Sequence, residues 1–317
     1  MAMILCGFVL ASACGWSAWR SPSASGAVAG PQLPQPTHAI PVAMPGLDNV
    51  VAFAAGLLSG SAPHREGGRP AGLDTLRSLG VRTVISVDAA PPEADAAAAR
   101  GLRYVHLPIG YDGIPPERCV ELARAARDAL RAGPVYVHCH HGKHRSAAAA
   151  AVIAVALGMD DADAMLARMR VSGTSEHYAG LYACAADASM IPPAALDAID
   201  GEFPSVLRPE GLVAAMVEAD HALAHLRTIE AAGWRTPPEH PDLVPAADAG
   251  RLADALRVSA EDDDSRGATF ATMMVESAEA ASVLEQMLLD RATPARLAAQ
   301  LERVAQSCIE CHRAHRD

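Results

Sequence analysis

The rhythm of hydrophobic and polar positions changes near residue 200. Before that point, short apolar runs rich in β-branched residues alternate with amphipathic stretches. VVAFAAGLLSGS at 50–61, VRTVISV at 81–87, RYVHLPI at 103–109 and VYVH at 135–138 read as strands, because each is bounded by Gly, Pro or Asp. Helical spacing marks 71–78, 115–132, an alanine-rich run from Ala147, then 161–169 and 178–185. Strands alternating with helices predict an α/β domain, a central sheet flanked by helices. After residue 205 the period is helical throughout: 211–232, 246–259, 268–289, and a last segment opened by Thr293 and Pro294, with Leu297, Leu301, Val304, Cys308 and Cys311 on one face. Four such helices predict an all-α four-helix bundle. The stretch IPPAALDAIDGEFPS separates the two. The division expected is therefore a leader at 1–29, a Pro-rich linker at 30–45, the α/β domain at 46–195, a linker at 196–204 and the bundle at 205–317.

Composition narrows the picture. Half of the 317 residues are hydrophobic but only 4% are aromatic, so two separate cores would be built from Ala, Leu, Val and Met. A net charge of −11 argues against a nucleic-acid partner, which would need a basic face. Seven cysteines are too few for a disulfide scaffold of this size. Residues 1–19 carry no charge and contain MILCGFVLASA, short for a membrane span and suited to a signal-peptide core. Small residues at 11–13 and 27–29 are possible cleavage sites. The expected location is the periplasm or cell envelope, with Cys14 leaving a lipoprotein open and the lack of a preceding basic residue leaving an uncleaved anchor open.

The densest chemistry lies in VYVHCHHGKHRSA, residues 135–147. It predicts a strand, a tight loop and a helix N-terminus. Cys139 is the candidate nucleophile, Gly142 permits the turn, and Arg145 offers a guanidinium fork for two phosphate oxygens. The amides opening the following helix face the same anion. A thiolate nucleophile calls for that helix N-terminus and for cationic neighbours. His138 precedes the cysteine, and His140, His141, Lys143 and His144 line the loop as candidate substrate-binding groups. A plain buried thiol, or a metal cluster of the four histidines, are the competing readings.

His138, Cys139, Gly142, Arg145 and Ser146 give the string H-C-x-x-G-x-x-R-S, which resembles the cysteine-dependent protein tyrosine and dual-specificity phosphatases. The resemblance implies a phosphoric-monoester hydrolase acting through a phosphocysteine intermediate, with Ser146 donating a hydrogen bond to the departing thiolate and no cofactor for this step. It places a general acid on the loop HLPIGYDGIP, where Asp112 is the candidate and Asp88 the runner-up. It also implies a phosphorylated protein as partner. The string G-K-H-R-S is similar to plant and fungal atypical dual-specificity phosphatases acting on inositol pyrophosphates, but departs from them at Ala147, so an inositol phosphate is the competing substrate. Rhodaneses and arsenate reductases are the other cysteine-loop enzymes considered; they lack the full set.

A second motif closes the chain. Cys308, Cys311 and His312 have C-x-x-C-H spacing, the attachment pattern of a c-type haem with His312 on the iron. With Arg316 four residues on, the helical region resembles the cytochrome c prime family. This implies a haem in the bundle, Met216 or alternatively His221 as a further ligand, an electron-transfer partner and a homodimer. A zinc site that adds His315, or a disulfide, are the alternatives. A different class of function follows: a haem-linked redox sensor, or a phospho-ligand-binding module with an inactive loop. Cys184 is a candidate to protect Cys139 by a reversible disulfide.

Overall fold

The computed structural model describes residues 32–111, 113–207, 211–241, 243–261 and 266–315. Asp112, Arg316 and the N-terminal leader at 1–29 lie outside the described residues. Strands β1 (Val42–Met44), β2 (Leu47–Ala54), β3 (Leu57–Gly60), β4 (Thr83–Ser86), β5 (Arg103–His106) and β6 (Val135–His138) form a sheet in the order β1-β2-β3-β6-β4-β5. The first three are antiparallel; β3, β6, β4 and β5 are parallel. Every residue of β3, β4 and β6 is buried, as expected for strands covered on both faces.

Side-chain alternation sorts the sheet into two layers. Val50, Ala52, Leu58, Val84, Tyr104 and Tyr136 pack on one face with α1 (Ala71–Ser78) and α2 (Ala94–Ala98). Val51, Phe53, Leu57, Ile85, Val105, Val135 and Val137 pack on the other, with α3 (Pro116–Leu130), α4 (Arg145–Ala156), α5 (Ala162–Ser172) and α6 (Ala179–Ala186). All of α4 is buried. Its sequence RSAAAAAVIAVA suits this position, because a helix surrounded by sheet and helices needs small side chains on every side. Asp161 caps α5 by accepting from the Ala164 amide at 2.8 Å, and Gly173 ends it in the left-handed conformation.

Helix α7 (Pro193–Asp197) runs across the expected boundary at 195 into the linker expected at 196–204, and β1 lies inside the linker expected at 30–45. The prolines that suggested a break instead supply the N1 residue of α7. Its Leu196 is buried against Ala123 and Ala156, and Arg124 donates to the Leu196 carbonyl at 2.6 Å. Farther on, the His106 amide donates to the Pro204 carbonyl at 2.9 Å, so this stretch is pinned to the sheet.

Helices α8 (Gly211–Ala231), α9 (Pro245–Glu261), α10 (Ala268–Leu289) and α11 (Pro294–His315) follow the expected spans. Each packs on the next and α11 returns to α8. The expectation of separate cores does not hold. One buried cluster runs from Val137 and Ala150 through Tyr111 and Tyr178 to Leu252, Leu284 and Leu301. Alanine-rich faces allow this close docking, which sequence periodicity does not reveal. Among the described residues no helix is long and apolar enough to cross a membrane.

Candidate active site

In the parallel part of the sheet Gly60, His138 and Ser86 stand in register, so three strands end together and their following loops meet at one edge. Cys139 sits there, 4% exposed, with its Sγ 3.4 Å from Ser146 Oγ. Ser146 in turn contacts Ser59 Oγ at 3.0 Å and the Gly60 carbonyl at 3.4 Å. Gly142 has φ of +74°, and a Cβ there would stand 2.2 Å from the Gly60 carbonyl carbon. Glycine is required at this turn on both counts. Asn49, with φ of 55°, donates through Nδ2 to the carbonyls of Gly142 and Ser172, each at 2.9 Å. Thr174 Oγ1 donates to the Lys143 carbonyl at 2.6 Å, and the Ala62 amide to the His140 carbonyl at 3.0 Å. The loop's carbonyls are thus tied outward. Among the described residues no protein acceptor takes the amides of His140 to Arg145, the arrangement of an anion-binding nest at a helix N-terminus.

Arg145 opens α4 and is 1% exposed. Its guanidinium binds the Asp254 carboxylate at two points, Nη1 to Oδ2 at 2.7 Å and Nη2 to Oδ1 at 3.3 Å. Asp88 takes Nη2 through Oδ1 at 3.4 Å. Arg257 Nη2 reaches the same Asp88 oxygen at 3.0 Å and also contacts Asp254. Tyr111 covers the Arg145 guanidinium, 4.3 Å from its ring centroid. Two carboxylates and two guanidiniums therefore share one buried cluster. Burial would raise the Asp88 carboxyl, but Arg257 and Arg145 hold it well below the usual range. Burial pushes the Asp254 carboxyl up against the pull of the same two cations.

Burial holds the histidines of the loop below the ordinary imidazole value. Burial lowers His138 to about 4 and His144 to about 3. His140 falls to about 3 through burial and the nearby Arg257. His144 stacks on Tyr178 with ring centroids 4.5 Å apart and accepts from the Ser175 amide at 3.3 Å. His138 is buried edge-on to Tyr104, whereas His141 and Lys143 are exposed. The cationic side chain that faces Cys139 is thus Arg145. Among the described residues no group of three or more His, Cys, Asp or Glu side chains converges on a metal position. The four-histidine cluster and the Cys308–Cys311–His312–His315 zinc reading both lack their geometry.

Other predicted residues are not brought to the loop. Cys184 Sγ accepts from the Ile114 amide at 3.0 Å, and Cys119 Sγ lies 3.6 Å from the Ile114 carbonyl. The protective partner expected for Cys139 is therefore engaged elsewhere. On α11, Cys311 is buried, Cys308 half-buried and His312 exposed; Met216 is half-buried on α8 and His221 exposed. Sequence reasoning missed Asn49, Asp254, Arg257 and Glu285. Glu285 of α10 accepts from the Tyr178 hydroxyl at 2.6 Å, and burial raises its carboxyl to about 7. The available signals were the polar Asn49 interrupting a strand and Gly250, Asp254 and Arg257 interrupting an Ala/Leu helix.

Residues 62–167 match the model of the Tyrosine phosphatase family, a stretch that holds the whole Cys139 loop and ends before the four C-terminal helices. No curated protein matches the chain. Among solved structures it is similar to TpbA of P. aeruginosa, at 22% identity over 46% of this chain and 87% of that one, with a TM-score of 0.39. A putative phosphatase (DUF442) of Shewanella putrefaciens is 23% identical over 45% of this chain and 95% of its own, TM-score 0.35. The core catalytic domain of the PP-IP phosphatase SIW14 of S. cerevisiae, solved with citrate, is 14% identical over 47% and 89%, TM-score 0.39. The segment carrying β4, β5, β6 and the Cys139 loop is thus the part of the chain that is similar to the Tyrosine phosphatase family.

Proposed function

We propose that the chain hydrolyses phosphoric monoesters of the protein-tyrosine and dual-specificity type. The observation that carries this reading is the Cys139 thiol at the floor of a loop whose amides, from His140 to Arg145, meet no protein acceptor. In the proposed sequence the Cys139 thiolate attacks phosphorus and the ester P–O bond breaks. The leaving oxygen takes a proton from Asp112, which lies outside the described residues. Water then attacks the phosphocysteine and gives its proton to Asp112, and the P–S bond breaks as Ser146 donates a hydrogen bond to the thiolate. Asp88 does not suit the acid role, since its two guanidinium partners hold it ionised.

Phosphate release from a phosphotyrosine peptide tests the reading. Turnover should vanish in Cys139→Ser and fall roughly 10²–10⁴-fold in Asp112→Asn. A rapidly quenched digest should carry the phosphoryl group on Cys139. Equal turnover in Cys139→Ser would overturn the reading. The exposed Lys143 favours a second substrate class, inositol phosphates, whose extra phosphates its ammonium would attract. Preference for an inositol pyrophosphate over the peptide, lost in Lys143→Ala, would establish it.

We further propose that the helical region carries a covalent haem. Cys308 and Cys311 are unpaired and share the α11 face that holds Leu301 and Val304, so the donor set fits two thioether links. Cys308 and Cys311 would hold the porphyrin, and His312 and Met216 would bind its iron. When bound, the group would supply a redox-active iron. A reduced-minus-oxidised spectrum of chain exported in a host that matures c-type haem should show a covalent haem, absent in Cys308→Ala/Cys311→Ala. A colourless product would remove this reading, and with it the expected electron-transfer partner.

A further inference from the structure

Helix α9 turns Gly250, Asp254 and Arg257 toward the Cys139 loop, four and three residues apart and hence along one stripe of the helix. Gly250 sets the approach. A Cβ there would stand 2.8 Å from Tyr111 Cζ, so only glycine lets the helix rest on the ring that covers Arg145. One turn later Asp254, 8% exposed, meets both terminal nitrogens of Arg145. This fork-to-carboxylate geometry is the one by which a guanidinium takes two oxygens of a phosphoryl group. The same N–H groups cannot serve both. Arg257 ties the arrangement down by reaching Asp254 on its own helix and Asp88 beyond β4.

We propose that α9 is a built-in competitor for the phosphate seat: the Asp254 carboxylate occupies the Arg145 fork and has to withdraw before a phosphoryl group binds over Cys139. The proposal rests on the phosphatase reading of the Cys139 loop. Asp88 already buttresses Arg145 from within the α/β layer, so Asp254 is not needed to hold the guanidinium in place. The C-terminal helices thereby become a cover whose displacement sets the fraction of open enzyme, and apparent substrate affinity falls with that fraction.

The test is binding of inorganic phosphate, by calorimetry, to the full chain carrying Cys139→Ser, with and without Asp254→Asn. The amide keeps the size of the carboxylate and removes its charge. Binding should tighten by about tenfold or more, and adding Arg145→Ala should cancel the gain. Gly250→Val, which pushes α9 off Tyr111 and leaves Asp254 intact, should act in the same direction if Asp254→Asn fails to fold. Unchanged or weaker phosphate binding in both variants would overturn the proposal and make Asp254 a positioning residue for Arg145. Failure of the two readings is distinguishable. Tighter binding without Cys139-dependent turnover in either the parent or Asp254→Asn would leave the competitor standing and sink the phosphatase. Cys139-dependent turnover without tighter binding would do the reverse.

Discussion

The chain holds two cysteine motifs, and they are built in opposite ways. Around Cys139 the backbone leaves regular structure, Gly142 takes a positive φ, and contacts from Asn49, Ala62 and Thr174 fix the loop across long sequence distances. Around Cys308 and Cys311 the chain stays helical from Pro294 to His315, and no convergent ligand set forms among the described residues. A loop with its own conformational demands is shaped by contacts from the rest of the chain. A spacing motif on an uninterrupted helix depends on what is attached to it. The largest effect should therefore come from breaking the loop's geometry. Gly142→Ala would force an L side chain to positive φ and drive its Cβ into Gly60, costing about 3 kcal/mol of stability together with most of the activity. Denaturant midpoints and phosphate release would read both. A variant as stable and active as the parent would mean that the turn is not held as described.

That difference also explains what the sequence disclosed. The strand, turn and helix around Cys139 were legible because Gly142, Arg145 and the alanine run each have a local reason to be there. The bundle helices were legible from their period. Asp254, Arg257 and Glu285 were not, because their roles arise only when α9 and α10 dock on Tyr111 and Tyr178. Docking depends on shape across elements far apart in sequence, and periodicity reports only which face of a helix is apolar. The same limit made 191–205 look like a linker: local composition shows Pro and Gly but not the burial of Leu196.

The seam between the two regions can be probed by pH. Burial raises Glu285 to about 7 from an unfolded value of 4.5, despite the hydrogen bond from Tyr178, which lowers it. Below pH 4.5 the group is neutral in both states and costs nothing. As pH rises from there the unfolded chain ionises first, so the folded state loses stability until the native carboxyl titrates, a total of about 3 kcal/mol above pH 7. Glu285→Gln should match the parent at pH 4 and exceed it by up to that amount at pH 8. A gap between the two that does not change with pH would show that Glu285 is not held neutral at the seam.

Asn49 tests the loop from its far side. Replacement by Ala removes two hydrogen bonds and the residue type that best tolerates φ of 55°, at a cost of about 2 kcal/mol. Turnover should fall further than stability alone accounts for, because the Gly142 carbonyl loses its tether. Full activity in a destabilised variant would mean that the tether serves the fold and not the loop.

The smallest effect is the most discriminating between the motifs. Cys311 is 2% exposed on the bundle side of α11, so Cys311→Ala removes one well-packed heavy atom and should cost about 1 kcal/mol, with the half-buried Cys308 costing less. Phosphatase turnover should be unaffected, since nothing in the α11 motif contacts the Cys139 loop among the described residues. Cys139→Ala should show the reverse, a small change in stability and complete loss of turnover. If Cys311→Ala instead changes turnover in proportion to its effect on stability, the shared core transmits damage and the two motifs are one mechanical unit. If turnover changes while the denaturation midpoint does not, α11 acts on the loop through the docking of α9, and the withdrawal of Asp254 gains a control point at the end of the chain.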